Sequence, residues 1–78
     1  MKTMTCAQLG GACELPLTGS TADEVIHAQD RHLAEAVAAG DSAHLPAREA
    51  MRGRWKHPVK GLGWYRSVKR DFAALPET

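Results

Sequence analysis

Apolar side chains recur at steps of three and four residues in three stretches of the chain. This spacing puts them on one face of an α-helix, so it predicts helices over residues 21–39, 46–56 and 63–75. The predicted inner stripes are Val25, Gln29, His32 or Leu33, Ala36 and Val37 in the first helix, Ala47, Met51 and Trp55 in the second, and Trp64, Val68, Phe72 and Leu75 in the third.

Residues with known preferences for helix ends bound these stretches. Thr21 followed three residues later by Glu24 is a capping box, and Gly40 suits a left-handed C-cap. Pro46 fits the first turn of a second helix, and Pro58 ends it because the residue before a proline avoids helical geometry.

The segment before the first helix has a different pattern, in which residues 2–5 and 13–17 read as short strands. Leu15 and Leu17 are expected on one face of the second strand. Thr5 to Gln8 can form one capped helical turn between the strands. The fold class is therefore α+β, with a short two-stranded β element packed on three amphipathic helices.

The chain has 78 residues, which we predict form a single domain with a thin core. Thirteen of its 34 hydrophobic residues are alanines, so a cross-link, a bound metal or a homo-oligomer would help to stabilise it. It lacks both an apolar run of about 18 residues and a signal-peptide core, so we predict no membrane association and a cytoplasmic location. In that reducing compartment, the two cysteines are expected to be metal ligands, redox thiols or core residues.

Charge is distributed unevenly although the net charge is only +1. Residues 1–44 carry two cations and six carboxylates, whereas residues 45–78 carry eight cations and three carboxylates. The two halves can attract each other, or the second can attract an acidic partner.

Cys6, Cys13 and His32 form the first candidate site. Zinc prefers thiolate and imidazole ligands, and two thiols on a hairpin-like loop can meet an imidazole on the inner face of the following helix. His27 lies about 140° around that helix from His32, so the fourth ligand would be His44, His57 or a water molecule. The alternatives are two buried thiols beside a core histidine, or a reversible dithiol.

The order Cys6-Ala-Gln-Leu-Gly, Cys13, Gly19, Thr21, Glu24-Val25 and His32 resembles a family of short prokaryotic proteins, the domain of unknown function numbered 1059 (DUF1059). That family is described as predicted small metal-binding proteins. The resemblance covers residues 2–40 and implies Cys6, Cys13 and His32 as metal ligands. Family members often carry a further histidine about five residues after the helix histidine, where this chain has Val37. Residues 41–78 form a basic helical extension outside the resemblance.

Cations near the C-terminus form a second candidate site, in which basic side chains beside Trp64 and Tyr65 can bind an acidic protein or a nucleic acid. The alternative is an ordinary solvated helix face, and no known nucleic-acid-binding motif is present. The cations are Lys56, Lys60, Arg66, Lys69 and Arg70.

No catalytic motif is recognisable in the sequence. Residues 60–63, Lys-Gly-Leu-Gly, lack the spacing and the closing Lys-Ser/Thr of a phosphate loop, and we predict a turn there. The leading prediction is a non-enzymatic cytoplasmic protein with a Cys/His zinc site of structural or sensory role.

Overall fold

The computed structural model describes residues 1–77, apart from the side chains of residues 58 and 60. The predicted α+β class is confirmed over this part of the chain. The strands are β1 (Lys2–Thr5) and β2 (Pro16–Gly19), and the α-helices are α1 (Ala22–Ala38), α2 (Leu45–Lys56) and α3 (Pro58–Ala74). Short 3-10 helices cover Ala7–Leu9 and Ser42–His44.

The strands pair antiparallel, with Met4 opposite Leu17. The predicted second strand is displaced, because β2 begins only at Pro16 and the Leu15 side chain is exposed rather than facing inward. The backbone explains this difference. The carbonyl of Leu15 accepts a hydrogen bond from the amide of Cys6 (2.9 Å), and the carbonyl of Cys13 accepts one from Ala7 (2.7 Å). The chain before β2 therefore bends around the first 3-10 helix instead of extending.

The ends of α1 follow the sequence signals. Thr21 Oγ1 accepts a hydrogen bond from the Glu24 amide (3.2 Å), and Glu24 Oε1 accepts one from the Ser20 amide (2.6 Å). Gly40 adopts a left-handed conformation with φ of 93°, as expected for a residue that ends a helix.

The predicted turn at residues 60–63 is wrong, because α3 begins at Pro58 and runs through both glycines. Gly61 serves the packing of two helices instead. A Cβ at this position would lie 3.0 Å from the Cβ of Arg54, so the missing side chain lets α3 approach α2 closely. Gly61, which favours a turn in the sequence, here permits close contact between two helices.

The core lies where the β element and the helices meet, with α1 packed against β2 and α2, and α3 packed against α2. Trp55 departs from its predicted stripe, since 53% of it is exposed. Within residues 1–77, no helix has the length and apolar character needed to cross a membrane. The buried apolar residues are Met4, Cys6, Leu9, Leu17, Ala22, Val25, Ile26, Leu33, Met51, Val68 and Phe72.

Replacing Gly53 with alanine is expected to stabilise the protein. Gly53 lies inside α2 without a positive φ, and no atom beyond its own helix lies within 4 Å of a Cβ built there. Alanine should raise the free energy of unfolding by about 1 kcal/mol through helix propensity. Urea unfolding would measure the gain, and an unchanged or lower midpoint would contradict the prediction.

Candidate metal centre

The two cysteines lie on a loop that closes on itself. Cys6 directly follows β1 and begins the first 3-10 helix, whereas Cys13 lies between that helix and β2. The predicted capped turn is confirmed, because Thr5 N donates to Gln8 Oε1 (2.8 Å) and Gln8 N donates to Thr5 Oγ1 (3.1 Å). Together with the backbone bonds to Cys13 and Leu15, this turn holds the two cysteines near each other.

Two glycines follow the first 3-10 helix and let the loop turn sharply between the two cysteines. Gly10 has φ of 99°, in the left-handed region that favours glycine. The Gly11 amide donates a hydrogen bond to the Cys6 carbonyl (2.8 Å), and a Cβ at Gly11 would overlap Cys6 Sγ. The sulfur of Cys6 therefore occupies space that any side chain at residue 11 would need.

Helix α1 supplies the third predicted residue. Nε2 of His32 lies 3.3 Å from Cys13 Sγ. One turn earlier, the buried Gln29 side chain donates a hydrogen bond to the Cys6 carbonyl (3.2 Å). The inner face of α1 thus contacts both cysteines, one through an imidazole and the other through an amide.

His44 completes the cluster from the second 3-10 helix and is only 5% exposed. Its ring meets the ring of His32 edge-on, with 5.0 Å between centroids. Asp41 begins this 3-10 helix by accepting a hydrogen bond from the Ala43 amide at Oδ1 (3.0 Å), and its Oδ2 lies 2.8 Å from His44 Nδ1. This arrangement leaves Nε2 as the ring nitrogen of His44 that faces no carboxylate.

The groups around His44 shift the protonation equilibrium of its ring toward the imidazolium form. The Cys13 thiol raises the pKa of His44 above its ordinary value of 6.5, and the Asp41 carboxylate acts in the same direction against the opposing effect of desolvation. Asp41 Oδ2 lies 2.8 Å from Nδ1, yet neither buried ring nitrogen makes a hydrogen bond of good geometry. Buried imidazole nitrogens normally have a partner, and a metal ion would be one.

One ligand atom from each of Cys6, Cys13, His32 and His44 lies within 4.8 Å of every other. The structure therefore brings the three predicted residues together and adds His44, so the four side chains lie close enough to bind one metal ion. Both cysteines are free thiols. The short distance between the sulfurs is also compatible with the dithiol alternative.

The other histidines lie elsewhere. His27 is on the exposed side of α1, where Nδ1 lies 2.8 Å from the Asp23 carbonyl and the ring stacks on Trp55. His57 is exposed between α2 and α3. The sequence offers His44, His57 or a water molecule as the fourth ligand without distinguishing them, because a polar connector gives no signal for burial. The choice between them depends on how the connector folds back on α1.

The predicted basic surface is exposed where the structure describes it. The side chains of Lys56, Arg66, Lys69 and Arg70 all face solvent, while the side chain of Lys60 lies outside the described part of the chain. Lys69 Nζ lies 5.4 Å from the centre of the Tyr65 ring, and Arg70 makes a long contact with Asp71 (3.4 Å). This arrangement is compatible with both a solvated face and a docking surface.

The fold and the cluster define a class, that of small α+β proteins with a Cys2His2 site able to hold a metal ion. Comparisons with family models, with curated proteins and with solved structures give no match. The resemblance to DUF1059 stays a prediction.

Proposed function

We propose that this protein binds one zinc ion through Cys6, Cys13, His32 and His44, and that the ion has a structural role. The observation that carries the proposal is the convergence of two thiols and two imidazoles within 4.8 Å. The resemblance described above implies three of the same four residues as ligands.

The identity of the ligands favours zinc. Two thiolates and two imidazoles are a common tetrahedral zinc set, and typical bond lengths separate the ligand atoms by about 3.3–3.8 Å. The distance from Cys13 Sγ to His32 Nε2, 3.3 Å, is close to that range. Two ligand atoms at the full 4.8 Å would have to move about 1 Å closer together when the ion binds. When bound, the ion would supply a cross-link and would hold the thiols as thiolates.

A structural role follows from the number and position of the ligands. Four protein ligands leave a tetrahedral ion without an open position for substrate, unlike a catalytic site. Cys6 is fully buried and His44 nearly so. The ligands come from the cysteine loop, from α1 and from the connector before α2, so one ion would join three segments of a chain with a thin core.

Elemental analysis and thermal unfolding test the proposal. Reduced protein without a histidine tag is expected to contain about one zinc per chain. Cobalt substitution should give thiolate-to-metal charge-transfer bands in the near ultraviolet and the visible bands of tetrahedral cobalt.

A strong chelator should lower the melting temperature by about 15 °C or more. Free zinc at a thousand times its dissociation constant would raise the free energy of unfolding by about 4 kcal/mol. A change of 1 kcal/mol shifts the Tm of a protein of this size by about 4–8 °C. Metal-free protein whose melting temperature does not respond to zinc or chelator would refute the proposal. Stoichiometric binding of copper or iron in preference to zinc would refute the choice of ion and keep the site.

The dithiol alternative uses Cys6 and Cys13 without the histidines. It predicts a reversible disulfide in the metal-free protein and no role for His32 or His44. The two imidazoles in the cluster favour the metal. Among the described side chains of the basic surface, no contact favours a particular partner, so docking of an acidic protein or a nucleic acid stays a prediction.

A further inference from the structure

A cavity of about 380 Å³ lies between α1, α2 and α3. It faces a different side of α1 from the metal cluster, since His27 lines the cavity and His32 is about 140° further around the helix. Its walls are largely apolar, and their main contributors are Ile26, Met51, Trp55, Leu62, Trp64 and Tyr65.

The size and lining of this cavity fall within the range of small-molecule sites. Ligand pockets typically enclose about 300–1,000 Å³ and combine apolar and aromatic walls with a few polar groups. Trp55 and Leu62 are 53% and 41% exposed, so the cavity opens to solvent and its apolar walls are incompletely covered.

Arg54 is the cation in the wall of this cavity. Its guanidinium lies over the ring of Trp64, 3.8 Å from the centre, and Nη1 donates a weak hydrogen bond to the thioether sulfur of Met51 (3.8 Å). Among the residues that the structure describes, no carboxylate or carbonyl oxygen accepts a hydrogen bond from Arg54. Desolvation by burial lowers the pKa of Arg54 below its ordinary value.

The other charged group in the wall differs in this respect. Asp23 Oδ1 accepts a hydrogen bond from the hydroxyl of Tyr65 (2.7 Å). The carboxylate therefore already has a partner, while no oxygen atom of the described residues accepts a hydrogen bond from the guanidinium. A guanidinium stacked on a ring keeps its N–H donors in the plane at its edge, where a carboxylate can accept two parallel hydrogen bonds.

We propose that this cavity binds a small aromatic carboxylate, with its ring against Trp55 and Trp64 and its carboxylate on the edge of Arg54. The ring would cover the exposed aromatic walls, and the carboxylate would supply the missing acceptor. The proposal does not depend on the metal, because the residues that line the cavity and those of the cluster are different.

Titration of isotope-labelled protein with 2-naphthoate, followed by nuclear magnetic resonance, tests the proposal. Both tryptophans of the chain line the cavity, so their two indole N–H signals report binding directly. Both signals are expected to shift and saturate. The neutral isostere 2-naphthamide should bind at least tenfold more weakly, because it lacks the charge that Arg54 recognises.

Arg54→Gln should reduce naphthoate affinity at least tenfold and leave naphthamide binding nearly unchanged. Arg52→Gln is the matched control, since Arg52 is an exposed arginine of the same helix that does not line the cavity. Its naphthoate affinity should stay within about twofold of the unaltered protein.

Equal affinity for the two probes would overturn the proposal, and this comparison requires no variant to fold. Absence of shifts at millimolar naphthoate would overturn it as well. A dimer that buries Trp55, detected by sedimentation, would identify a second copy of the chain as the occupant instead.

Discussion

Cys6→Ser is expected to abolish tight zinc binding at the proposed site and, with it, most of the stabilisation that a bound ion would give. The Cys6 sulfur is fully buried in the cluster, and a hydroxyl is a much poorer zinc ligand than a thiolate. The free energy of unfolding in excess zinc should fall by about 4 kcal/mol or more, the stabilisation that saturating metal gives. Urea unfolding and zinc content measure the two effects.

Chelation distinguishes the loss of a metal ligand from the loss of a core residue. If Cys6 acts mainly through the metal, the unaltered protein and Cys6→Ser should differ much less in chelator than in zinc, because a shared partner makes the two changes non-additive. His27→Gln is a suitable control, since His27 lies outside the cluster. A variant that keeps stoichiometric zinc and full stability would contradict the assignment of Cys6. The same comparison of the unaltered protein with His44→Gln, in zinc and in chelator, tests the fourth ligand.

Gly11→Ala is expected to damage the site although residue 11 supplies no ligand. A Cβ there would overlap Cys6 Sγ, and it would also lie 3.0 Å from the Cys6 carbonyl oxygen and 3.2 Å from Gln29 Nε2. Because the sulfur is fully buried, relief requires the loop to shift. Overpacking of this kind costs about 1–3 kcal/mol, and displacement of a ligand should weaken metal affinity at least tenfold.

Gly53→Ala is the control for this substitution, because it adds the same methyl group where no neighbour lies within 4 Å. The two variants are expected to change stability in opposite directions. Urea unfolding with and without zinc, together with competition for cobalt, gives both quantities. A Gly11→Ala variant with unaltered stability and metal affinity would show that the loop does not hold Cys6 in the described position.

Local signals in the sequence were sufficient for most helix ends. The capping box at Thr21, the left-handed Gly40 and the turn from Thr5 to Gln8 all depend on contacts between residues a few positions apart. Such contacts have similar geometry in any fold, so residue type and spacing predict them. The beginning of α3 was mispredicted because the Gly61 backbone packs against Arg54 of another helix.

The candidate site was only partly predictable, because part of it also depends on contacts between segments far apart in the chain. Cys6, Cys13 and His32 could be grouped because the loop and the helix follow each other directly in the chain. His44 could not be distinguished from His57, since burial of one and exposure of the other depend on where the connector after α1 lies.

The sequence by itself determined the α+β class, most of the helix ends and the types of candidate ligand, because these depend on local backbone preferences and on side-chain chemistry. Only the tertiary structure decided that His44 joins the cluster and that Gly11 leaves room for the Cys6 sulfur. It also decided that Arg54 lies in an aromatic cavity and that, within residues 1–77 as described, no oxygen atom accepts its hydrogen bonds. Each of these depends on distances between segments far apart in the chain, which are fixed by the packing of the whole molecule and not by the spacing of residues along it.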